Sequence, residues 1–83
     1  MELKETVEMM NNADYKERFK AEYFQLKIRR DKLKAMVEKW DKGELNFQPT
    51  CPRGLYSIQL ITMNNYLSVL EERAHLEHVP LEG

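Results

Sequence analysis

Arg30 lies inside the stretch LKIRRDKLK, residues 26 to 34, and its position raises a chemical question. Leu26 and Leu33 are seven residues apart, the spacing of one buried helical stripe, and Arg30 falls on that stripe between them. A charge held there without a partner costs several kcal/mol, on the order of what a small domain has to spare. Lys27 lies about one turn before it, Tyr23 two turns before it, and the downstream run Asn64, Asn65, Tyr66 faces it if the chain folds back as a hairpin. Together these residue types suit a small anionic ligand: a guanidinium fork matches phosphate, amides read polar edges, and a phenol ring stacks on a base. Two plainer readings stand beside this one. The guanidinium reaches solvent or pairs with a carboxylate of another subunit, fixing register as polar seam residues do, or the register differs and Arg30 is not opposite these residues.

The run TCPRG places Cys51 and Arg53 at the start of a helix, where free N–H groups favour anions, so Arg53 is an auxiliary candidate for the same ligand. A nucleophilic role for Cys51 needs a base, and the only histidines, His75 and His78, come at the far end of that helix, roughly 35 Å away on helical rise. The expectation is no enzyme and a capping or core cysteine. His75 and His78, with Glu71 or Glu72 near, form at most a weak metal pattern; two solvated histidines are the expectation, with no metal and no cofactor.

These residues are positioned by two long helices. Ten Lys or Arg against five acids fall in residues 16 to 42, while the segments on either side are each acidic by three, giving a net charge of −1 over 83 residues. That balance suits helices that attract one another or a local anion site better than a wide nucleic-acid surface. Gly43 closes the first helix and Pro52 opens the second, which predicts a long helix over 13–42, an ordered loop over 43–50, a second helix over 51–77 and an extended tail over 78–83. Residues 1–12 form a separate short helix or a continuation of the long one. Trp40 and Phe47 are expected to close the turn end of the core. Heptad stripes run from Phe19 to Trp40 and from Tyr56 to Ala74, predicting an all-α antiparallel hairpin in which facing residues have numbers summing to roughly 93. Leu55, Ile58, Ile61, Tyr66, Val69 and Leu76 lie off that seam, so the expectation is a helical-bundle homo-oligomer. One cysteine, no basic start before an apolar run and no apolar stretch near ~18 residues point to a reducing cytoplasm and no membrane partner.

The stretches DYKERFKAEYFQLK, LNFQPTCP and YLSVLEERA, spanning residues 14 to 74, resemble small proteins encoded by phages and prophages and related to a protein of a crAss-like phage. The resemblance implies a phage accessory protein acting in an infected bacterial cell and carries over no catalytic residue. By analogy, such a protein sequesters a nucleotide signal of host immunity or occludes a host protein. The leading expectation is therefore a non-enzymatic sponge for a small anionic ligand. A protein-binding module using the apolar second helix is the alternative, and a nucleic-acid-binding hairpin is a weaker one.

Overall fold

The computed structural model describes residues 1–81; the last two residues of the expected 78–83 tail lie outside the described residues. A 3-10 turn at Leu3–Glu5 leads into a short helix α1 (Thr6–Met10), followed by α2 (Tyr15–Asp41) and α3 (Arg53–Glu77). Among the described residues there is no strand. No helix is long and apolar enough to cross a membrane.

Local chemistry explains each boundary. Residues 1–12 are a separate element because Asn12 and Asp14 break the helical path: Asn12 Oδ1 accepts the Asp14 N–H at 2.8 Å, and Asp14, in extended backbone, accepts the Lys16 N–H at 2.9 Å as the cap of α2. At the other end Gly43, with φ of +70°, lets the Gly43 and Glu44 N–H groups close on the Trp40 and Lys39 carbonyls. α3 begins at Arg53, two residues after the start expected at 51. Pro52 itself is the capping residue, in extended backbone with no side-chain cap, because its fixed φ fits both states and it has no N–H to satisfy.

α2 and α3 pack antiparallel, and cross-seam pairs fix the register. Arg30 meets Asn64, Tyr23 meets Glu71 and Asp41 meets Arg53, each pair summing to 94 against the expected 93 or so. The core sits at the open end of the hairpin, where Phe19, Tyr23, Leu67, Leu70, Ala74 and Val79 bury one another and Phe24, Leu26 and Leu81 flank them. Arg73 lies over the Phe19 ring at 4.8 Å and donates to Glu77 at 2.9 Å, so Glu77 is engaged along its own helix. α1 crosses the back of α2: Thr6 and Ala21 are wholly buried, and the Thr6 hydroxyl donates to the Leu3 carbonyl while accepting from Gln25.

The turn end is thinner than expected. Trp40 packs edge-on against Tyr56, with centroids 5.8 Å apart, and Tyr56 occupies the place anticipated for Phe47. Phe47 is 55% exposed, because the first turn of α3 already covers the indole. The off-seam residues of α3, Leu55, Ile58, Ile61, Tyr66, Val69 and Leu76, are all exposed in the single chain.

α3 ends with His78 in the left-handed region, φ 58° and ψ 43°, and the Val79 N–H returns to the Ala74 carbonyl at 2.9 Å. This motif turns Val79 into the core, at the expense of a conformation that glycine adopts more readily. His78→Gly should therefore raise stability by about 0.5–1 kcal/mol, seen as a melting temperature a few degrees higher in a circular-dichroism melt.

Candidate functional site

The structure distributes the sequence-selected residues over four places. On one flank of the hairpin, the Arg30 Nε donates to Asp31 and its Nη1 to Asn64, both at 2.7 Å. The guanidinium is thus partly solvated and paired within the chain: the sequence neighbour supplies the carboxylate that no residue across the seam could. Beside it the Tyr23 hydroxyl donates to Glu71 at 2.8 Å. Burial, and then the Glu71 carboxylate, push the Tyr23 phenol up to about 12. Lys27 faces an adjoining shallow groove with Phe24, Ile28 and Asp31.

The remaining candidates lie elsewhere. Asn65 is exposed on the outer side of α3, away from Arg30. Tyr66 is on the opposite flank, where its hydroxyl donates to the Glu22 carboxylate, which raises its pKa together with partial burial. Arg53 is at the turn end, clamped on both Asp41 oxygens at 3.1 and 3.0 Å and on the Ser57 hydroxyl. That bidentate pairing holds the Asp41 carboxyl below its ordinary range and the guanidinium above its own. Cys51 is half-buried near Tyr56 and helps hold the Tyr56 phenol above its ordinary value. Among the described residues no three His, Cys, Asp or Glu side chains come together as a metal set.

A further concavity is on the Tyr66 flank. An open groove of about 450 Å³ is walled by Met10, Leu26, Arg18, Arg29, Gln25, Glu22 and Tyr66. Its polar groups differ in how firmly they are held. Arg18 donates to the Asn12 and Ala13 carbonyls at 2.8 Å, a link that ties it to the junction between α1 and α2. Gln25 donates to the Thr6 hydroxyl at 3.0 Å. Arg29 is exposed, with no ion pair or side-chain hydrogen bond to the described residues. The sequence carried a signal for this wall that the reading from Arg30 overlooked: residues 18, 22, 25 and 29 repeat the four-three-four spacing of the core stripe 19, 23, 26 and 30, one position earlier. A polar stripe beside a core stripe reads as solvated surface until another element, here α1, rises along it and makes a wall.

These features define a small helical hairpin with a polar, arginine-bearing groove beside its seam. A family model, Sequestin, matches residues 13–76, which include all of α2 and nearly all of α3, and the chain belongs to the Sequestin family. No curated protein and no solved structure matches it significantly.

Because Tyr23 must stay neutral to donate to Glu71, its stabilisation is present below the ordinary phenol value of 10 and is lost as pH rises through about 12. Tyr23→Phe should cost about 1–2 kcal/mol at neutral pH, and should flatten the fall of melting temperature between pH 10 and 12 relative to the parent.

Proposed function

We propose that the protein is a non-enzymatic binder that sequesters a small anionic ligand, a nucleotide-type signal of bacterial immunity, in the groove walled by Arg18, Arg29, Gln25, Glu22 and Tyr66. The observation that carries this reading is the groove itself, whose volume of about 450 Å³ lies within the range of small-molecule sites. Arg29 offers an uncommitted fork to a phosphate, and Arg18 has further N–H groups beyond those bound to backbone. Tyr66 presents a ring for a base, and Glu22 accepts from hydroxyl or amino groups of a nucleoside. Met10 and Leu26 supply the apolar wall. The family name, Sequestin, supports a sequestering role, and the resemblance to phage proteins supports action against the host in the cytoplasm of an infected cell. Cys51, half-buried and a helix length from either histidine, supports binding without catalysis.

In this reading the protein is a homo-oligomer. Leu55, Ile58, Ile61, Val69 and Leu76 are each more than half exposed along one 25-residue helix, and covering them by further copies removes an aggregation-prone surface. The same exposure favours a second reading, in which that face occludes a host protein and no ligand is needed. A nucleic-acid partner has less support, since the net charge is −1.

Calorimetry and thermal melts with a panel of cyclic dinucleotides and ADP-ribose derivatives separate these readings. At least one ligand should raise the melting temperature of the parent. Arg29→Ala should weaken its binding tenfold or more, about 1.4 kcal/mol, with the unliganded melt unchanged. Arg30→Met should leave affinity unchanged; if it alone abolishes binding, the ligand occupies the Arg30 flank. A parent protein that responds to no member of the panel would favour the host-protein reading.

A further inference from the structure

The outer face of α3 repeats a heptad of its own. Leu55, Ile58, Thr62, Asn65, Val69, Glu72 and Leu76 follow alternating steps of three and four, on the side of the helix away from Leu67, Leu70 and Ala74. Ile61 flanks this stripe. A leucine stands at each end of the pattern and an amide at its centre, with Ile58 and Thr62 mirrored by Glu72 and Val69.

We propose that two copies of this protein pack through the outer faces of α3, antiparallel about a two-fold axis at Asn65, with the two Asn65 amides hydrogen-bonded to each other. The inference rests on the self-association proposed above and specifies its geometry. In this register Leu55 falls opposite Leu76 of the second copy, Ile61 and Thr62 fall opposite its Val69, and Ile58 lies beneath the aliphatic stem of its Glu72, whose carboxylate reaches solvent at the edge of the contact. An isologous contact requires a patch complementary to itself, which this arrangement provides. An amide carries both a donor and an acceptor, so it is satisfied by its own copy across a two-fold axis, and a single polar residue in an apolar seam selects one register.

Charge chooses the orientation. Glu71, Glu72 and Glu77 all lie in the C-terminal half of α3, against Arg73, whereas the N-terminal half carries Arg53 and no acid. Parallel packing abuts Glu72 on Glu72; antiparallel packing sets each acidic half against the acid-free half of the other copy. The area is sufficient. Leu55, Ile58, Ile61, Val69 and Leu76 are 52 to 67% exposed, and with their neighbours on a 25-residue helix two copies bury on the order of 1,000 Å², the lower bound for a specific interface.

Single thiols introduced in a Cys51→Ser background test the geometry, since a disulfide forms only where Cα atoms come within roughly 7 Å. Under mild oxidation Asn65→Cys should yield a covalent dimer of twice the 10.0 kDa chain on a non-reducing gel. Leu55→Cys and Leu76→Cys should not link alone, but a mixture allowed to exchange subunits should. Independently of cross-linking, Asn65→Leu should tighten self-association at least tenfold by sedimentation. Linking of Leu55→Cys alone as readily as Asn65→Cys would establish a parallel contact and overturn the proposal. An oligomer in light scattering in which Asn65→Cys does not link would overturn it while leaving self-association standing. A 10.0 kDa monomer would overturn both.

Discussion

The structure depends on one packing event: the closure of α2 on α3 at the open end of the hairpin. Phe19 and Tyr23 meet Leu67, Leu70 and Ala74 there, and the tail returns through His78 to add Val79. With so few buried side chains in a chain this short, little apolar stabilisation is available elsewhere. The polar contacts that follow along the seam act on alignment more than on stability. Tyr23 with Glu71, Arg30 with Asn64 and Asp41 with Arg53 hold a common register from the core to the loop. Partly exposed pairs of this kind are worth little individually, but each accepts only one alignment of the two helices.

That closure also divides the surface of the hairpin into two flanks and a back. One flank carries Arg30, Asn64 and Tyr23, whose polar atoms are already committed, Arg30 to Asn64 and Asp31 and Tyr23 to Glu71. The other holds the groove, where α1 rises beside α2 and Arg29 has no ion pair or side-chain hydrogen bond among the described residues. The back of α3 exposes Leu55, Ile58, Ile61, Val69 and Leu76, interrupted by Thr62, Asn65 and Glu72, although the helix already buries its front. A groove open on one side and an apolar face next to it are the features expected of a subunit rather than of a finished monomer. Tyr66 connects the two, because it borders the groove while standing near the edge of the outer face.

Much of this fold was written in the sequence as periodicity. The stripe from Phe19 to Trp40 and its counterpart on α3 specify an antiparallel pair to within about one residue of register, since seven-residue repeats admit little slippage once aliphatic residues must meet. Turn chemistry at Gly43 and Pro52 stands where the loop between α2 and α3 begins and ends. The position of Phe47 was not legible, because an aromatic residue in a loop can cover either of two neighbours and Tyr56 reached Trp40 first. The candidate site was harder to read. Seam arithmetic brought Arg30 to Asn64, but a linear pattern does not say on which flank Tyr66 emerges, nor that Asp31 folds back onto the residue before it. Arg18, Gln25 and Arg29 became a wall only through α1, whose separate packing on α2 the sequence left open.

The central claim is that this chain acts as an assembled container for a small anion. Native mass spectrometry of protein purified without denaturation from cells that naturally make it tests it most directly. The account predicts a species at an integral multiple of 10.0 kDa that carries an added mass of several hundred daltons, removed on denaturation, with the phosphorus content of a nucleotide. A bare 10.0 kDa monomer, or an assembly that retains only a host protein, would contradict it.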